Sequence, residues 1–155
     1  MSNLLMARAI QLSIDSVHSG GGGPFGAVIA RNGEIVAEGV NQVTSRNDPT
    51  AHAEILAIRE ACAKLGRFEL KDCELYSSCE PCPMCFGAIY WARVDRVYYA
   101  NTAADAAKIG FDDSFIYGEL HVPHAERTIP AIQIMREEAL AAFRAWAAKP
   151  DKIRY

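Results

Sequence analysis

Residues 4 to 18 repeat apolar side chains at helical spacing. Leu5, Ala9 and Leu12 fall on one line, with Ile10, Ile14 and Val17 beside it, which predicts an amphipathic helix. The stretch SGGGGPFG follows a helix, not a strand, and lacks the G-K-[ST] ending of a phosphate-cradling loop, so it reads as a flexible entry loop. GAVIARNGEIVAEGV then supplies two β-type runs joined by Asn32-Gly33, the dipeptide that best tolerates the positive φ angles of a hairpin turn. After the loop NQVTSRNDPT, the segment AHAEILAIREACAKLG predicts a helix ending at Gly66. Its apolar line is Ile55, Ile58 and Cys62, with Ala51 ahead of them. CELYSS predicts a strand, PMCFGAIYWA a short helix, RVDRVYYA a strand and TAADAAKIG a helix. A weaker strand follows at AIQIM, and the last helix is EEALAAFRAWAAK, before a short tail to Tyr155. A hairpin followed by alternating helices and strands implies an α/β protein with one mixed sheet covered by helices on both faces. Neither a repeat nor a low-complexity linker divides the 155 residues, so a single domain is expected.

Charge and cysteine content narrow the chemistry. Sixteen basic against nineteen acidic residues leave a net charge of -3, which argues against a dedicated nucleic-acid surface. There is no run of about 18 apolar residues, so no membrane span is expected. The start, MSNLLMARAIQLSID, lacks the uninterrupted apolar core of a signal peptide. Five cysteines without a secretion signal point to a reducing cytoplasm, where clustered thiols serve as metal ligands or catalytic groups more often than as disulfides.

Three of those thiols, Cys79, Cys82 and Cys85, sit within SCEPCPMCFGA. A bacterial iron–sulfur run would need a fourth cysteine three residues further on, followed by proline, yet Ile89 and Tyr90 stand there. A zinc ribbon would need a second C-x-x-C, which the chain lacks; Cys62 and Cys73 are isolated and read as small core residues. His52-Ala53-Glu54 opens the second predicted helix and Pro81-Cys82-Pro83-Met84-Cys85 the third. His52, Cys82 and Cys85 offer one imidazole and two thiolates to one Zn²⁺, leaving a fourth position for water. Glu54 follows His52 by two residues, about 200° round a regular helix. The pair can share a side only if His52 reaches inward from the helix lip. Glu54 would then stand beside the water and off the metal, as a proton shuttle must. H-x-E followed by P-C-x-x-C is the signature of zinc deaminases. The role of Cys79 stays open between structural and functional.

With these residues in view, the chain resembles the cytidine-deaminase-like superfamily, which carries H-A-E and P-C-x-x-C on two helices against one sheet. Within it, GGPFGAVI, NDPTAHAE, SCEPCPMCFGAIYWAR and GFDDSFIY resemble bacterial guanine deaminases, from about Gly22 to Tyr155. The resemblance implies a three-layer α/β/α fold with a central mixed five-stranded sheet and hydrolysis of guanine to xanthine and ammonia. It implies Glu54 and Asp113 as proton-handling residues, and Asn41, Ala53, Phe25, Trp91, Asp113 and Tyr155 as substrate contacts. Asn41 could also be a turn residue, Phe25 and Trp91 core aromatics, and Asp112 a turn cap. The same resemblance implies a homodimer and a C-terminal tail closing the active site, which would favour the free base over guanosine. Guanosine or another aminated heterocycle is the first alternative. A tRNA adenosine deaminase, which shares D-P-T-A-H-A-E, is disfavoured by the net acidic chain. A non-catalytic zinc module would need no carboxylate beside a ligand.

Overall fold

The structure, a computed structural model, describes residues 2–155. Its chain divides into two compact units, Met1–Asp113 and Ser114–Tyr155. The first begins with α1 (Ser2–Ser19), followed by the hairpin β1 (Gly26–Arg31) and β2 (Glu34–Val40). Then come α2 (Val43–Arg46), α3 (Ala53–Leu65), β3 (Glu74–Cys79), α4 (Pro83–Ala92), β4 (Arg96–Asn101) and α5 (Ala103–Lys108). The second holds α6 (Ser114–Leu120), a 3-10 turn at His124–Glu126 and α7 (Arg136–Ala148).

The sheet order is β2-β1-β3-β4, with β1 antiparallel to both neighbours and β3 parallel to β4. The sheet is therefore mixed. Its central strand β1 is buried along Gly26–Ala30, and a strand covered on both faces reads as a continuous apolar run without alternation. Successive side chains go to opposite faces. Ala27 and Ile29 join Ala53, Ala57, Leu75 and Ile89 in one cluster, whereas Val28, Ala30 and Tyr76 join Leu5 and Ala9 in the other. These two clusters make the three layers, α1 on one face and α3 with α4 on the other. Gly39 on β2 sets the seat of α3: a Cβ there would come within 2.1 Å of the Ala53 carbonyl oxygen.

The expected fifth strand is a correction. The described residues contain one four-stranded sheet, and residues 131–135 have no regular secondary structure. Ile132 and Ile134 alternate as in a strand, but they are 78% and 76% exposed and no neighbouring strand of Ser114–Tyr155 pairs with them. Met135, at φ 52, then turns the chain into α7. The face of α1 also differs from expectation. Leu5 and Ala9 are buried, yet Ile10, Ile14 and Val17 are largely exposed, and Ser13 and Ser16 take the inner positions. Both hydroxyls are satisfied there, Ser13 donating to the Ile10 carbonyl and Ser16 to that of Gly23, which removes most of the cost of burying them. The predicted loop 41–50 contains the one-turn helix α2, stopped by Asn47 in a left-handed conformation. Among the described residues, no helix is long and apolar enough to cross a membrane.

Candidate metal centre

His52 and Cys82 occupy equivalent places. Each is the N-cap of a helix, in extended conformation, and each offers its carbonyl to the first helical N–H, from Leu56 and Phe86 respectively. Pro83, the first residue of α4, suits that position because its ring presets φ and no N–H is wasted. This arrangement removes the 200° difficulty: ψ 154 takes His52 out of the helical frame that holds Glu54, so the two side chains reach one centre. His52 Nδ1 lies 3.5 Å from both Cys82 Sγ and Cys85 Sγ. A tetrahedral zinc with ordinary Zn–N and Zn–S bonds requires about 3.5 Å between such atoms. All three donor atoms lie within 4.8 Å of one another. The donor set is therefore positioned to bind one metal ion, and two thiolates with a neutral imidazole are zinc's preferred chemistry.

Electrostatics agree with a thiolate pocket. The hydrogen bond from Cys85, together with those from His52 and the helix backbone, brings the Cys82 thiol down to about 4 against the opposing effect of burial. Cys85 moves the other way, raised by its bond to Cys82, by burial and by Glu54. Thiols bind a metal as thiolates, so metal binding here releases protons. The hydrogen bond to Cys82 raises the His52 imidazole. Burial pushes the Glu54 carboxyl up; bonds from the backbone, Ser77 and Cys85 oppose it. Glu54 Oε2 is 3.4 Å from Cys85 Sγ. The carboxylate stands against the donor set without belonging to it.

Asn41 is buried at the end of β2, where its Oδ1 accepts the backbone N–H groups of Gly23 at 3.1 Å and Val43 at 3.3 Å. The turn role that the loop sequence allowed is thus filled by the side-chain oxygen. With the oxygen occupied twice and no hydrogen bond from Nδ2 among the described residues, the amide can offer a ligand only its N–H donors. Gly22 makes this approach possible, since a Cβ there would sit 2.0 Å from the Asn41 carbonyl oxygen. Ala53 is fully buried in the core beneath the sheet. Asp113 is half-buried; burial, then the nearby Cys82 thiolate, raises its carboxyl. It lies within electrostatic reach of the donor set. A cavity of about 740 Å³ opens elsewhere, against β2 between Leu12, Gln42, Arg59 and Lys64. Donor chemistry, not volume, marks the site.

The profile described as "Cytidine and deoxycytidylate deaminase zinc-binding region" matches residues 2–101. A guanine deaminase of Bacillus subtilis (strain 168) is 57% identical over 150 residues, 97% of this chain and 96% of its own. The chain belongs to the guanine deaminase family. The solved structure of guanine deaminase from Bacillus subtilis superposes with a TM-score of 0.96 at 56% identity, covering 99% of this chain and 98% of that one. A tRNA-specific adenosine deaminase of Aquifex aeolicus (strain VF5) is 47% identical over only 77 residues, 50% of this chain and 51% of its own. The likeness to the tRNA enzyme covers half the chain, whereas that to guanine deaminase runs nearly end to end.

In this guanine deaminase family member the remaining expected contacts separate. Phe25 is half-buried and meets the edge of Phe111 at 5.0 Å between ring centres, interplanar angle 87°. Trp91 is 67% exposed on α4, so it is not a core aromatic, and Tyr155, in the second unit, is 70% exposed. Cys79 is buried, its thiol pushed up to about 11 by burial and the carboxylate of Glu54. Two polar residues escaped the sequence reading. Ser77 donates to Glu54 Oε1 at 3.0 Å. Glu80 ties the ligand loop to the β4–α5 junction, its N–H donating to Asn101 and its carboxylate accepting from Ala103 N–H. The serines of ELYSSC, polar in a buried strand, were the available signal for the first.

Proposed function

We propose that this chain hydrolyses guanine to xanthine and ammonia, using one zinc ion per chain. The observation that carries the reading is the convergence of His52, Cys82 and Cys85 on one centre with the buried Glu54 carboxylate 3.4 Å from Cys85 Sγ. A metal module would have no use for that carboxylate. Zinc held by these three side chains supplies Lewis acidity that makes water nucleophilic near neutral pH. Glu54 accepts the water's proton as the oxygen adds to C2 of guanine, and passes it to the adjacent ring nitrogen. The proton of the new C2 hydroxyl is passed to the amino group, with Asp113 as its relay, and the C2–N bond breaks to release ammonia as the carbonyl of xanthine forms. The Asn41 Nδ2 group donates to an acceptor on the purine, orienting the base. Ala53, Phe25 and Trp91 are assigned to the walls around the ring.

The reading treats residues 1–155 as one deaminase working as a homodimer in the cytoplasm. Support for the dimer comes from the apolar side chains that the second unit leaves open, among them Phe115, Ile129, Ile132 and Phe143, each more than 60% exposed. So much uncovered apolar surface is a mark of an interface. Neither nucleic acid nor membrane is a partner in this reading, consistent with the net charge of -3. Ammonia release across guanine, guanosine, cytosine, cytidine and adenine tests the substrate: guanine should be fastest, and guanosine turned over faster would overturn it. Sedimentation showing only a monomer at working concentrations would end the dimer proposal.

A further inference from the structure

The two oxygens of the Glu54 carboxylate have different surroundings. Oε2 faces Cys85 Sγ, while Oε1 accepts the Ser77 hydroxyl at 3.0 Å. Ser77 is 1% exposed in the interior of β3, where it is paired with Ala27 of β1 on one side and Tyr99 of β4 on the other. Strand pairing on both sides holds its Cα in register, and the pleat puts its side chain on the same face as Leu75 and Cys79. A serine hydroxyl has one proton to give, and an ionised carboxylate only accepts. The backbone N–H of Cys79 lies 3.5 Å from the Ser77 oxygen on the accepting side. The hydroxyl proton therefore belongs to Oε1. A β-branched apolar residue would suit this central strand better on packing grounds alone.

We infer that Ser77 is a positioning residue for the deamination: by occupying Oε1 it stops the carboxylate from turning and leaves Oε2 as the oxygen that carries the proton. This rests on Glu54 being the proton shuttle. Without the bond, either oxygen can turn toward the donor set, and the carboxylate spends part of its time in a rotamer unsuited to transfer. Substrate affinity and metal binding do not pass through Ser77, so the effect should fall on kcat alone.

The test is a near-isosteric pair. Ser77→Thr keeps the hydroxyl and Ser77→Val replaces it with a methyl group, while both are β-branched and favoured in strands. Ser77→Val should lose on the order of tenfold or more in kcat, the scale of a lost hydrogen bond to a charged group. Its KM for guanine, its zinc content and its zinc affinity in chelator competition should stay at wild-type values. Ser77→Thr should restore most of the rate. Ser77→Ala supplies the same comparison without added bulk and should match the Val variant. Equal rates for the Thr and Val variants, whether both normal or both impaired, would overturn the inference. Wild-type turnover in Glu54→Gln would instead defeat the shuttle reading beneath it.

Discussion

The units Met1–Asp113 and Ser114–Tyr155 look alike in sequence, both built from amphipathic segments, yet they bury their apolar residues very differently. In the first, Val28, Ile29, Leu70, Leu75 and Tyr76 are at most 2% exposed. In the second no described residue is buried, although it carries Phe115, Ile132, Ile134, Phe143 and Trp146. Helices of this length gain most of their stability from packing an apolar face. The first unit supplies its own packing. The second is held locally by polar contacts such as Glu119 accepting from the N–H and hydroxyl of Thr128, and its apolar face has no core within the unit. Residues placed in the first unit should therefore act through chemistry and core stability in each chain, and residues in the second through assembly.

The largest expected effect is chemical. Glu54→Gln should keep its zinc by elemental analysis but lose several orders of magnitude in turnover, whereas Cys82→Ala should lose the metal as well. Exhaustive zinc removal should abolish activity; full activity without metal would refute the site. Next comes the core. Leu75→Ala in β3 should cost about 2–5 kcal/mol in urea unfolding. Ile132→Ala should change single-chain stability by about 0.5 kcal/mol or less but weaken self-association, seen as a stronger dependence of sedimentation on protein concentration. A core-sized cost for Ile132→Ala that does not vary with concentration would erase the contrast.

An intermediate effect is expected at Gly22, where any side chain collides with the Asn41 backbone. If the Asn41 amide orients the base as proposed, Gly22→Ala should raise KM for guanine more than it lowers kcat, because it displaces Asn41 and leaves Glu54 in place. The smallest effect belongs to the ion pair joining α1 to β2, Arg8 Nε to Glu38 Oε1 at 2.7 Å. The Arg8 guanidinium holds the Glu38 carboxyl below its ordinary value of 4.5. A lowered carboxyl means stability that is complete above that value and lost as pH falls through the folded one. Both side chains are partly exposed, so Glu38→Gln should cost about 0.5–1 kcal/mol at pH 7. That difference should shrink as pH falls below 4.5 and the carboxyl protonates, and an undiminished cost in strong acid would show that packing, not charge, is involved.

Much of this was legible in the amino-acid order because it is local. The helix over Ala53–Leu65 with its stop at Gly66, the Asn32-Gly33 turn and the ligand spacing of Cys82 and Cys85 all depend on near neighbours along the chain. The H-x-E and P-C-x-x-C pair identified the donor atoms for the same reason, since each half is carried on one helix start. The strand expected at AIQIM failed because alternation states only that a segment could pair; a strand exists only where a partner offers its backbone groups.

Composition, periodicity and motif spacing thus determined the layers of the fold, the metal and its three ligands. Tertiary structure alone decided that His52 leaves the helical frame to share a centre with Glu54, that Asn41 keeps only its donors for a ligand, and that Ser77, 23 residues from Glu54, reaches one carboxylate oxygen. These depend on distances across the sheet and on which hydrogen-bonding atoms are already taken. A linear pattern records which groups a residue has; folding settles which of them remain unspent.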